Sequence, residues 1–209
     1  MIITHNTLES FKVQFGDTML AFNPVSKKSK LSATSFGADI VLVTLNHPDM
    51  NGIETVARGD KVPFTIVGPG EYEVKEIFVK GFPSVSSYGG EQAINTVYTV
   101  ILEDMRLCFL GALATTDLPP ETLEAMGDID ILFAPVGGDG VLSPKDAHKL
   151  SVSLEPHCVI PMHYTKETLA AFLKEEGVSV EPLDKLTIKK KDVLEKEGEI
   201  FVLKPTTNN

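Results

Sequence analysis

Residues 41–52 read "VLVTLNHPDMNG". The stretch opens with apolar and β-branched residues and breaks into a polar turn carrying His47 and Asp49. With the residues before it, "ADIVLVTL" (38–45) forms a near-continuous apolar run, the pattern of a strand covered on both faces. A histidine and a carboxylate two apart, just past a buried strand, is one way a metal site begins. The next residue is Met50, a soft thioether where another nitrogen or oxygen ligand would be useful.

Two later segments repeat the design. "DIDILFAPVGG" (128–138) and "HCVIPMHY" (157–164) are apolar strands running into polar turns, which offer Gly137, Gly138 and Asp139, and then His163. In open α/β sheets ligands gather at the carboxyl ends of such strands. If the three strands are parallel neighbours, these groups share one rim. The rest of the N-terminal half reads as β-structure. "FKVQFGDTMLAFNP" (11–24) is a hairpin around Gly16-Asp17, and "NTVYTVILEDMRLCFLG" (95–111) turns at Glu103-Asp104. "PFTIVGPGEYEVKEIFVKGF" (63–82) is expected to break at Pro69-Gly70. Helices are predicted over 119–127, over 143–154 with Ser143 as N-cap, and from N-cap Thr165 to Gly177. The tail reads as edge strands with a lysine-rich turn. Strands followed by alternating strands and helices give a layered α/β fold. No linker is visible, so one domain is expected over 1–209, with 205–209 frayed.

The 209 residues are 43% hydrophobic and 23% charged, as in an ordinary globular domain. The net charge of −10 disfavours nucleic acid and anionic membranes as partners. No basic, apolar leader opens the sequence, and no apolar run approaches the roughly 20 residues of a membrane span. Cys108 and Cys158 lie in strand-like segments and read as buried, reduced thiols of a cytoplasmic protein. The sequence leaves open a disulfide between them, and equally a homo-oligomer.

The order "AFNP", "VLVTLNHPDMNG", "GPGEYEV", "CFLGAL", "PVGGDGVLSPKDAHKL" and "EPHCVIPMHY" resembles the metallo-β-lactamase superfamily, and within it the small bacterial Zn-dependent hydrolases related to ascorbate-phosphate lactonase. The resemblance covers nearly the whole chain. It implies a four-layer αββα sandwich with a metal centre at one edge of two packed sheets. It also implies where the ligands should stand. The family's first motif, Thr-His-x-His-x-Asp-His, keeps Thr44, His47 and Asp49 here, with Leu45 and Met50 at its other two histidine positions. A further histidine position matches Ser86 and the bridging aspartate matches Ala112. The last histidine is kept as His163, and the early aspartate is Asn23.

A catalytic zinc needs about three protein ligands and an open position for water. In the family's arrangement His47 would serve one metal, and Asp49 and His163 the other. The replacements Leu45, Met50 and Ala112 are all apolar. This direction suggests a site filled in by packing, since empty clusters of histidines and carboxylates are costly when buried.

Three functions are weighed on these residues. The first is a non-catalytic binding or assembly module of this fold. The second is a metal-dependent hydrolase of lactones, esters or phosphoesters with a reduced centre at His47, Asp49 and His163, holding one weakly bound Zn or Mn ion. The third is a nucleic-acid-processing enzyme, as relatives of this fold cut RNA, which the acidic charge and the missing metal ligands oppose. The first is preferred; no metal is expected and no catalytic residue is assigned.

Simpler roles are set beside each site residue. Asp49 would cap Asn51 or Gly52, and His163 would bond a backbone carbonyl. His148 and His157 are expected at the surface or an edge. Glu71 and Glu73 alternate around Tyr72 and should be solvated with Tyr72 inward. "PVGGDG" lacks the Lys-Ser/Thr of a phosphate loop, so its glycines should serve a tight turn and close backbone approach.

Overall fold

The computed structural model describes residues 1–60 and 62–206, so 207–209 of the expected frayed tail lie outside the described residues. Two sheets face each other. The first is built from β1 (Ile2–Thr7), β2 (Ser10–Phe15), β3 (Thr18–Phe22), β4 (Ile40–Leu42), β5 (Phe64–Ile66) and β12 (Leu186–Thr187), in the order β12-β1-β2-β3-β4-β5. The second holds β6 (Gly70–Val74), β7 (Ile77–Ser86), β8 (Ala93–Leu102), β9 (Met105–Phe109), β10 (Ile131–Pro135), β11 (Cys158–Met162) and β13 (Glu199–Ile200), in the order β13-β11-β10-β9-β8-β7-β6. Each sheet is antiparallel in its hairpin-connected part and parallel where the chain crosses over, at β3-β4-β5 and β9-β10-β11-β13.

The side-chain period of two sorts each strand between layers. In β10, Ile131 and Phe133 join the core between the sheets, with Phe11, Phe22 and Phe109. The alternate residues Leu132 and Ala134 face outward. There they meet α2 (Pro120–Met126), α3 (Pro144–Leu154) and α4 (Lys166–Glu175) through Met126, Leu150 and Phe172. The outer face of the first sheet is covered by Ala38 and by Val56 of the short α1 (Ile53–Val56). These are the layers of an αββα sandwich. Strands β10 and β11 are buried along their whole length, as continuous apolar runs demand.

Local signals behave as expected at most turns. Glu103 and Asp104 both adopt φ near +56°, the geometry of a tight hairpin. The Ser143 side chain accepts from the Asp146 N–H, and Thr165 forms a capping box with Thr168. Tyr72 is half-buried between exposed Glu71 and Glu73.

Four expectations change. Pro69-Gly70 is no hairpin turn; it carries the chain from one sheet to the other, and the β6–β7 turn is Lys75-Glu76, both with positive φ. The lysine-rich turn of the tail winds into α5 (Lys190–Val193). Helix α4 ends at Glu175, ahead of Gly177. And β4 does not neighbour β10 and β11: it lies in the opposite sheet. The shared rim forms all the same, because the carboxyl ends of β4 and β11 meet across the top of the sandwich.

Among the described residues no helix is long and apolar enough to cross a membrane. Cys108 and Cys158 are free and buried, and burial pushes both thiols up to about 12.

Candidate functional site

Strand β4 delivers the 44–52 loop to the rim. The loop closes on itself, with the Met50 and Asn51 N–H groups donating to the His47 carbonyl at 2.8 and 3.0 Å. Gly52 seats it: a Cβ there would lie 2.2 Å from the Val25 carbonyl carbon. His47 Nδ1 accepts from the Asp49 N–H at 3.2 Å, and its Nε2 faces Gly89, where a Cβ would stand 3.5 Å away. The Asp49 carboxylate caps neither Asn51 nor Gly52. One oxygen accepts from the Ser29 hydroxyl, the other from the Tyr88 hydroxyl at 2.7 Å. His47 Nδ1 is 3.5 Å from that second oxygen.

Tyr88 joins the two sides of the rim. Its ring meets His47 edge-on at 4.9 Å between centroids and His163 edge-on at 4.8 Å. Burial first, and then the Asp49 hydrogen bond, raise the phenol well above its ordinary value. Fully buried Ser86 shapes the turn that presents it, its hydroxyl oxygen accepting from the Tyr88 N–H at 3.1 Å.

His163 stands just past β11 with φ of +52°, and Gly137 lets the neighbouring loop approach: a Cβ there would be 2.1 Å from the His163 carbonyl oxygen. Its imidazole partner is not a backbone carbonyl. Nδ1 lies 2.5 Å from a carboxylate oxygen of Glu9, a side chain with no solvent exposure. The other Glu9 oxygen accepts from Asn23 Nδ2 at 2.9 Å. Asn23 also donates to the Thr44 hydroxyl at 2.8 Å and accepts from the Thr44 N–H at 2.8 Å. Asn23 adopts φ of +42°, a conformation asparagine tolerates better than most residues. A buried polar chain thus runs from His163 in one sheet through Glu9, Asn23 and Thr44 in the other. Gly111, at φ +60°, makes room for it; a Cβ there would be 2.5 Å from the Thr44 hydroxyl oxygen.

The apolar residues also converge. Leu45, Met50 and Ala112, which the resemblance sets at ligand positions, form one buried cluster with Val141, flanked by Leu8 and Tyr88. Among the described residues, no group of three or more His, Cys, Asp or Glu side chains is placed to hold a metal ion. This donor set does not fit a two-metal centre, which needs bridging carboxylates and several imidazoles.

His148 and His157 sit elsewhere. His148 Nδ1 is 3.1 Å from Glu176 on the helical face, and His157 Nδ1 is 2.8 Å from the Lys196 carbonyl. Reading the sequence missed Glu9 altogether. It lies in a short turn, and its partner is 154 positions away, so no local pattern announces it. Nor does any local pattern announce Tyr88 as the link between the two sides of the rim.

The comparisons agree with this architecture. The beta-lactamase superfamily domain model matches residues 3–163, and the chain belongs to that family. A metal-dependent hydrolase of Carboxydothermus hydrogenoformans is 26% identical over 196 residues, covering 75% of this chain and 78% of that protein. One from Thermococcus onnurineus is 28% identical over 175 residues, covering 71% and 75%. Among solved structures, a Thermotoga maritima protein assigned to the Zn-dependent hydrolases of the metallo-β-lactamase superfamily superposes with a TM-score of 0.76. It is 26% identical and covers 97% of each chain. The fold is that of the metallo-β-lactamases, and the kinship is with metal-dependent hydrolases.

Proposed function

We propose that this chain is a non-catalytic member of its family, a binding or assembly module whose metal centre has been rebuilt from side chains. The observation that carries the reading is the seat of Tyr88. Its ring touches both retained histidines, and its hydroxyl engages Asp49. Each candidate ligand has a protein partner: the Asp49 N–H for His47, Ser29 and Tyr88 for Asp49, Glu9 for His163. Where the family resemblance sets further ligands, Leu45, Met50 and Ala112 pack together and Ser86 caps a turn. Replacing both members of a buried polar pair with apolar groups removes the desolvation cost of an empty site. We place the protein in the cytoplasm as a single domain, with no resident metal.

The names of the relatives favour a second reading, a metal-dependent hydrolase with a reduced centre at His47, Asp49 and His163 and one Zn or Mn ion. The two are separated by assaying the protein with added Zn²⁺ or Mn²⁺ against lactones, phosphodiesters and thioesters. The proposal expects rates at the level of buffer. Turnover that is abolished by a chelator, and by His163→Ala, would establish the second reading instead.

A further inference from the structure

A cleft of about 720 Å³ opens at the far end of the second sheet. His157, at its edge, precedes β11, whereas His163 follows it. Five strand residues at about 3.3 Å each separate the two, so the cleft is distinct from the rim described above. We infer that this cleft binds a small amphiphilic amine, an alkyl or arylalkyl ammonium ion.

The walls are apolar and open. Val152, Val178 and Leu194 are 59%, 42% and 58% exposed, and all three line this one cleft. Exposed aliphatic residues are ordinarily scattered singly, and convergence on a concave surface marks a binding site. Buried Val159 and Ile200 form the floor. The volume falls in the range of small-molecule sites, roughly 300–1,000 Å³.

The rim sets the charge of the ligand. Glu155 and Glu197 are exposed and, among the described residues, carry no ion pair. Glu155 is fixed at the end of α3 by a left-handed backbone, φ +46°. Glu176 adds a third carboxylate, engaged with His148. The cation beside them is already committed: the Lys196 ammonium pairs with Glu199 and lies 5.3 Å from the Phe201 ring centroid. His157 is held at the edge of the cleft by its Nδ1, 2.8 Å from the Lys196 carbonyl oxygen. An anion would meet unpaired carboxylates, and a neutral hydrocarbon would leave them unused. A cation with an apolar tail satisfies walls and rim together.

The test is calorimetric titration of the full-length protein with octylammonium at low salt, beside octanoate and octanol. Saturable one-to-one binding of octylammonium is expected, with octanoate silent and octanol much weaker. Joint substitution of Glu155→Gln and Glu197→Gln should weaken binding about five-fold, in line with two exposed charge contacts. Leu194→Ser should weaken it separately; that side chain is exposed, and circular dichroism checks that the fold persists. Octanoate or octanol binding as well as octylammonium would overturn the inference. So would affinity unchanged in the Glu155/Glu197 variant, or no saturation below about 10 mM. None of these results bears on the rebuilt rim.

Discussion

Around Met50 the rim is closed by carbon; around His163 it is closed by hydrogen bonds. The first half packs Leu45, Met50, Ala112 and Val141 into a dry cluster. The second keeps a histidine, His163, whose Nδ1 is held by the buried carboxylate of Glu9, which Asn23 and Thr44 support in turn. Tyr88 borders both, with its ring against the apolar cluster and the two imidazoles and its hydroxyl on Asp49. On the reading proposed above, the contrast shows two ways in which a ligand site can be closed. Where the polar groups are gone, shape complementarity replaces them. Where they persist, each must acquire a protein partner, because a buried polar group without one costs more than a hydrogen bond returns.

The polar half should be the more fragile. Glu9→Ala leaves His163 and Asn23 facing a buried void, and breaking one side of such a pair costs about 3–5 kcal/mol. Urea denaturation measures it, and Glu9→Gln, which keeps the shape, should cost less. A loss below about 1 kcal/mol for Glu9→Ala would show that the polar half is not structural.

The apolar half is probed by Met50→Ala. Met50 is fully buried, so the cavity should cost about 3 kcal/mol. Met50→His tests the same position chemically. It restores an imidazole where the family resemblance sets one, yet should destabilise the protein without conferring zinc binding in a calorimetric titration, since Tyr88 and the apolar neighbours remain.

Between the halves, Tyr88→Phe removes only the hydroxyl. A half-buried hydrogen bond to a carboxylate should cost about 1.5 kcal/mol in the same unfolding measurement.

The smallest effect is a pH dependence beneath the polar half. His5 is buried, stacked on Phe11 at 4.4 Å, with Nε2 3.1 Å from the Leu8 carbonyl beside Glu9. Burial holds its imidazole below the ordinary value of 6.5. In the unfolded chain the same ring takes up a proton near 6.5, so there the unfolded state binds more protons. Stability attributable to His5 is therefore full above about pH 6.5 and declines as the pH falls below it. His5→Gln should flatten that part of the stability profile relative to wild type.

The sequence carried the sandwich, and it named histidines that the fold brings to one rim, for definite reasons. "DILFAPV" and "CVIPMH" announce buried strands because both of their faces are covered. Ser143 and Thr165 announce helix starts because capping is local chemistry. The apolar residues that the resemblance sets at ligand positions pack into one cluster. What stayed hidden was long-range. Placing β4 in the opposite sheet from β10 needs the topology, as does Glu9 meeting His163. So does the position of the Tyr88 ring between His47 and His163, because no local period encodes a contact across the sandwich.

The central claim is that side chains hold the space a metal ion would need. The most direct measurement is the metal content per chain, by inductively coupled plasma mass spectrometry, of protein expressed in medium supplemented with zinc and manganese and purified without chelator or affinity metal. The account predicts far less than one equivalent of any transition metal, and a melting temperature that EDTA does not shift. One or two equivalents of zinc or manganese, with a melting temperature lowered by EDTA and restored by the ion, would contradict it.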